Sequence, residues 1–279
     1  TGVLRDYARK TGGSLVNYKY VEIERSGHIA TLWLNRPDRL NALSPEVMTE
    51  IEEAARSFLG DEETRVVIFA GRGKHFCAGA DLQARQAANA APPSLLMARR
   101  QSGLGGRMIR AISEMKQVTI AAVHGAGAGG GCGIPVACDF RIGSDDCKIG
   151  YPEVQRGMNL MWGALPGCVH LIGPARAKRM IMLGNLEPAA TLLEWGFLDE
   201  VVPRGRLMDR ALEIAADYAA RPPIAVQMIK ESVNAVAHAF DSATMHMDVD
   251  QNLLTAKTED LQEGIAAFLE KREPEFKGR

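Results

Sequence analysis

His124–Asp139 reads HGAGAGGGCGIPVACD and follows directly on the apolar run VTIAAV, Val118–Val123. An uncharged β-branched run, a cluster of glycines and then small apolar residues predict a buried strand, a tight turn and the start of a closely packed helix. Gly125, Gly127 and Gly130 also fit the G-x-G-x-x-G spacing of a dinucleotide cradle, and Asp145 and Asp146 follow at about the distance expected of its ribose-binding acid. Two features weaken that reading. Gly129, Gly130 and Gly131 are consecutive, so the match partly reflects glycine density. The unit also follows roughly a hundred residues of other structure, whereas the dinucleotide cradle occupies the first strand-to-helix turn of its fold.

A second stretch has the same plan. Gly71–Leu82, GRGKHFCAGADL, follows the strand-like RVVIFA and ends with Asp81, an acid suited to a helix start. Two small-residue turns can each aim an unpaired backbone N–H at one point. That arrangement is an oxyanion hole, which stabilises negative charge developing on a carbonyl oxygen.

Working outward, Tyr18–Asn35 alternates apolar and polar residues about a Ser26-Gly27 turn and predicts a hairpin. SPEVMTEIEEAARSFL follows, with Ser44 as N-cap, Pro45 in the first turn and apolar residues at helical spacing. ARRQSGLGGRMIRAISEM predicts a helix weakened by its glycines, and beyond about Pro174 the pattern is mostly helical. The alternation of strands and helices places the chain in the α/β class.

The chain has 279 residues, 46% of them hydrophobic, and 33 Lys+Arg against 34 Asp+Glu, for a formal net charge of −1. That balance offers no bulk field for nucleic acid or an anionic membrane. Val118–Cys138 carries no Asp, Glu, Lys or Arg, yet its six glycines and Pro135 divide it into strand, turn and helix rather than a membrane span. Five cysteines without C-x-x-C spacing read as free thiols in a reducing, cytoplasmic setting. The six histidines show no metal-ligand spacing, so no metal is expected.

NRPDRLNALS, FCAGADL, GAGAGGGCGIPVACDFRI, KIGYPEVQRGM, EWGFLDEVVP and the tail EGIAAFLEKREPEF together resemble the enoyl-CoA hydratase/isomerase (crotonase) superfamily, over about Tyr18 to Lys277. The resemblance implies a spiral of ββα turns with a carboxyl-terminal helical trimerisation region: an arm over 1–17, a core over 18–205 and a helical oligomerisation region over 206–279. It implies an acyl-CoA thioester as substrate, no separate cofactor, and a homotrimer or dimer of trimers. The oxyanion-hole donors then fall on the N–H groups of Ala80 and Gly130. Arg36, Arg39, Ala78, Asp81, Leu82, Gly131, Gly133, Trp162 and Lys271 fall at positions expected to contact substrate or CoA. Asp38 and Gln83 stand where many relatives carry CoA-binding lysines.

The acid–base residues depart from the hydratase pattern. Hydratases of the superfamily carry a glutamate two residues after the glycine triplet and another in a P-E pair; here those positions are Gly133 and Glu153. Glu153 is left as the catalytic acid–base. One carboxylate suffices to shift a double bond, which favours enoyl-CoA isomerisation, with hydration or a hydratase-lyase reaction as the alternative. An acyl-CoA binding protein without turnover and, from the glycine spacing alone, a nicotinamide-dependent dehydrogenase are the readings from other classes.

Overall fold

Six strands form the central sheet in a computed structural model that describes residues 18–81 and 94–279. The arm expected over 1–17 and the substrate contact expected at Leu82 lie outside the described residues. β1 (Val21–Ser26) and β2 (Ile29–Leu34) form the predicted antiparallel hairpin; the register Ser26↔Ile29 puts its turn at Gly27-His28, one residue later than the sequence suggests. β3 (Val66–Gly71), β4 (Val118–Val123), β6 (Phe140–Ser144) and β9 (Glu200–Val202) then add in parallel. β5 (Ala126–Ala128), β7 (Lys148–Gly150) and β8 (Glu187–Pro188) make a second, three-stranded sheet.

β3 and β4 are buried along their whole length because both faces of the large sheet are covered. Val67, Phe69, Ala121 and Val123 point into one core with α1 (Pro45–Ser57) and α3 (Leu104–Ser113). α1 begins as its sequence dictates, with the Ser44 hydroxyl accepting the Val47 N–H and Pro45 in the first turn. α2 (Leu95–Ser102) is separated from α3 at Gly103, so the glycines divide the expected helix rather than merely weaken it.

Val66, Ile68, Ala70, Ile120 and Ala122 face the other way, onto Leu207, Ala211, Ala215 and Ala219 of α7 (Leu207–Ala219). Alanines every four residues let α7 lie close on the sheet. Thus the first helix of the region expected from 206 onward completes the core. α4 (Gly130–Ala137) and α6 (Ala189–Trp195) pack on the small sheet, and α5 (Ala164–Leu183, kinked at Gly173 with φ 75°) packs on α4. α8 (Pro223–Ala237), α9 (Ser242–Met245), α10 (Asp248–Thr255) and α11 (Glu259–Glu270) complete the chain. Among the described residues no helix is long and apolar enough to cross a membrane.

Candidate active site

Three chain segments run side by side to one point. Cys77 forms a parallel bridge with Gly127, its N–H donating to Ala126 O and its carbonyl accepting from Ala128 N at 3.0 Å each. β5 in turn pairs in parallel with β7, Ala128 opposite Gly150. Counting on from these pairs, Ala80 and Gly130 each lie three residues beyond Cys77 and Gly127, and Glu153 lies three beyond Gly150. The register therefore carries Ala80 and Gly130 out of the ladders abreast, with Glu153 one step further along its own segment.

The two N–H groups are left free by that pairing. At the bridge between Leu43 and Ala80, the partners are Gly79 O, accepting from Leu43 N (2.8 Å), and Asp81 N, donating to Leu43 O (3.1 Å). The N–H of Ala80 alternates to the opposite side, toward β5 and α4. Gly130 is the first residue of α4; the helix bonds begin at Cys132 N and Gly133 N, both to Gly129 O, so the Gly130 N–H is one of the unpaired first-turn donors. The helix adds its positive end to the same place. Gly79, at φ 89°, lets the loops meet: a Cβ there would stand 2.5 Å from Ala128 O and 3.7 Å from Gly130 N.

Glu153 sits in a 3-10 turn, Pro152–Arg156, that ends at left-handed Gly157. Its carboxylate lies against Gly129, where a Cβ would be 2.6 Å from Glu153 Oε1. Oε2 is sealed from solvent with no hydrogen-bond partner. Burial pushes this carboxyl from its ordinary 4.5 up to about 7, opposed only in part by its own backbone N–H and by Arg156. The same burial lowers the pKa of Arg156, whose guanidinium lies over the Phe268 ring at 4.4 Å. A carboxyl poised near neutrality, beside two free N–H groups, can take a proton from carbon and return it.

Trp162, in a left-handed conformation at φ 70°, walls the site. Its indole fills the space a side chain at Gly130 or Gly105 would need, 2.0 Å and 2.1 Å from the respective Cβ positions. Gly133 faces Ile109, whose Cδ1 would be 3.2 Å from a Cβ there, and Gly131 packs on Cys77. Asp139 lies beyond α4, its Oδ2 accepting from Thr119 N (2.8 Å) and from Lys230 Nζ (2.7 Å).

The residues expected to hold CoA are only partly brought together. Arg36 Nη1 is bound to Asp81 Oδ2 at 2.7 Å and to Ala42 O at 3.0 Å, so these two expected contacts form an ion pair that joins the loops. Arg39 also approaches Asp81, at 3.7 Å, with its side chain largely exposed. The Ala78 N–H is used by Leu40 O. Lys271 caps α11 in the left-handed region and is exposed.

Two residues that sequence reasoning missed organise the turns. The buried Asn41 amide donates to the carbonyls of Arg72, His75 and Phe76 at 2.9, 2.9 and 3.1 Å and accepts the Arg36 N–H at 2.8 Å. Its left-handed φ of 54° is the conformation asparagine tolerates best among side-chain-bearing residues. His75 Nδ1 accepts the Ala126 N–H at 3.0 Å, and burial lowers the pKa of this ring, keeping it the neutral acceptor that the bond requires. The dinucleotide reading loses its geometry: β5 intervenes between β4 and α4, and Asp145 and Asp146 are engaged by Arg204.

The family model for enoyl-CoA hydratase/isomerase matches residues 24–279. The chain is 32% identical over 260 residues to a crotonyl-CoA hydratase of Syntrophomonas wolfei, covering 93% of this chain and 98% of that one. It is 29% identical over 252 residues to the 1,2-epoxyphenylacetyl-CoA isomerase of Escherichia coli, covering 90% and 95%. The crystal structure of a carnitinyl-CoA hydratase from Mycobacterium avium superposes with a TM-score of 0.83 at 29% identity, over 94% of this chain and 100% of the other. Two backbone donors phased by parallel pairing, a buried carboxyl beside them and a match over nearly the whole length agree: the chain belongs to the enoyl-CoA hydratase/isomerase family.

Proposed function

We propose that this acyl-CoA enzyme moves a double bond along an enoyl thioester, with Glu153 as the single acid–base. The thioester oxygen accepts from Ala80 N–H and Gly130 N–H. Glu153 removes a proton from C2 of a 3-enoyl chain, and the electron pair spreads over C2–C4 and the thioester oxygen as a dienolate held by the two donors. The protonated Glu153 then delivers the proton to C4, leaving the 2-enoyl product and a regenerated carboxylate. The observation that carries this reading is the sealed, unpartnered Oε2 of Glu153 against Gly129. Gly133 carries no second acid, and a Cβ there would stand 3.2 Å from Ile109 Cδ1.

Hydration is the second reading. It is favoured by the names of relatives such as the crotonyl-CoA hydratase and by a short-chain-enoyl-CoA hydratase of Clostridium acetobutylicum that is 32% identical over 261 residues. Turnover of 3-enoyl, 2-enoyl and aryl-enoyl CoA thioesters in D2O, followed by mass spectrometry, separates the two. Isomerisation predicts deuterium at the substrate's α carbon and no gain of water; rapid water addition to crotonyl-CoA would overturn the isomerase assignment. We also propose assembly as a trimer or dimer of trimers, supported by the apolar side chains that α8 and its end leave in solvent: Ile224, Met228, Ile229, Val233, Val236 and Phe240. In that assembly Lys271 would reach a neighbouring subunit's CoA.

A further inference from the structure

Away from Glu153, an open cleft of about 810 Å³ separates α3, α4 and α5 from α8 and α9, with Ile109, Val136, Leu171 and Met245 among its walls. Three side chains on its lining meet one another: His170 of α5, His238 at the end of α8 and Asp241 just before α9. His170 Nε2 stands 2.8 Å from Asp241 Oδ1, and His238 Nδ1 stands 2.6 Å from Asp241 Oδ2. The imidazoles are edge-on, 5.3 Å apart at 82°, and the three donor atoms all lie within 4.8 Å of one another.

We propose that His170, His238 and Asp241 form a binding site for a late first-row divalent metal ion of the Zn²⁺ type, clamping the α8–α9 corner to α5. Two imidazoles and one carboxylate, with a further position left for water, are a donor set that such ions favour over Mg²⁺ or Ca²⁺. A tetrahedral ion with bonds of about 2.0–2.1 Å needs its ligand atoms about 3.3 Å apart. The two imidazoles now hydrogen-bond different oxygens of Asp241, and one ligand atom from each of the three residues already lies within 4.8 Å of the others, so an ion would replace the two hydrogen bonds by drawing these atoms around itself.

The scaffold is prepared for this. His170 stands within a long helix, and Asp241 is fixed through its main chain, which donates to His238 O (3.1 Å) and accepts from Met245 N (2.9 Å). The sequence hid the site because His170 and Asp241 come from elements 71 residues apart, far beyond any local ligand motif. Competing ligands are few. All five cysteines are buried free thiols, and His28, His75 and His124 each have a backbone partner.

The test uses the full chain, stripped with EDTA and dialysed, then titrated with ZnCl2 by calorimetry and with CoCl2 by visible absorption. The expected result is one ion per chain, with Kd on the order of 1 μM, and the intense visible bands of low-coordinate Co²⁺. His170→Gln and His238→Gln should each weaken binding by about 100-fold and remove those bands. His246→Gln, which alters the remaining nearby imidazole, should leave affinity within about twofold. Circular dichroism establishes that each variant is folded. Absence of binding at millimolar Zn²⁺, or unchanged affinity in the folded double variant His170→Gln/His238→Gln, overturns the site.

Discussion

Replacing Glu153 with glutamine should make the protein more stable at alkaline pH while abolishing its chemistry. The ordinary carboxyl titrates near 4.5, and burial moves Glu153 to about 7. For an acid with a raised folded-state pKa, the folded protein binds the extra proton, so stability is lost as pH rises from 4.5 through 7. At about 1.4 kcal/mol per pH unit, ionising this buried group costs at most on the order of 3 kcal/mol when complete. Integrated between the two pKa values, only about 1 kcal/mol of that cost is present at pH 5 and nearly all of it at pH 8. Glutamine keeps the shape and cannot ionise. Urea unfolding of both proteins at pH 5 and pH 8, at one protein concentration, should therefore show Glu153→Gln gaining on the order of 2–3 kcal/mol over the wild type between the two conditions. An advantage for the variant that does not change with pH would refute the reasoning, because the sealed carboxyl would then not be carrying a desolvated charge.

The same substitution should lower isomerisation and α-deuterium exchange by about 10²–10⁴-fold while CoA thioester affinity, measured by calorimetry, stays within about threefold. Gly129→Ala places a Cβ 2.6 Å from Glu153 Oε1 at a φ of 55° and ψ of −119°. It should cost about 1–3 kcal/mol in denaturant unfolding and reduce kcat more than it changes KM. Asn41→Ala strips the carbonyls of Arg72, His75 and Phe76 of their shared donor and should cost about 2–4 kcal/mol, with hydrogen exchange rising first in the 72–80 turn. Trp162→Ala should open space beside Gly130 and shift the preferred acyl group to a bulkier one; an unchanged ranking across a thioester panel would remove Trp162 from the substrate wall.

Much of this architecture is legible along the chain because its signals are local. Ser44 and Pro45 announce α1, and RVVIFA and VTIAAV announce strands covered on both faces. The paired glycine turns announce two backbone donors before any partner is known. What escapes has partners far away. Asn41 acts on carbonyls 31–35 residues distant, and an asparagine between Leu40 and Ala42 carries no mark of that role. Arg36 and Asp81 read as two separate substrate contacts until their 2.7 Å pairing is seen. α7 reads as an ordinary amphipathic helix, and only the flat apolar face of β3, β4 and β6 explains its alanines. The P-E pair draws attention to Glu153 in the sequence, whereas its sealed environment depends on Gly129 in another segment.

The phasing of Cys77–Ala80 against Gly127–Gly130 also divides the site into two kinds of hardware. In the proposed reaction, the part that stabilises charge is made of peptide groups, which every residue except proline possesses, so no exchange of one side-chain functional group for another can delete it. Ala80→Pro would remove a donor where Ala80→Ser would not. The reagent that decides which bond changes is, by contrast, a single removable side chain on a separate turn. On the proposed mechanism, a scaffold wired in this way can be refitted from one proton-transfer reaction to another by altering position 133 or 153, while its grip on a thioester oxygen persists as long as the strands stay in register.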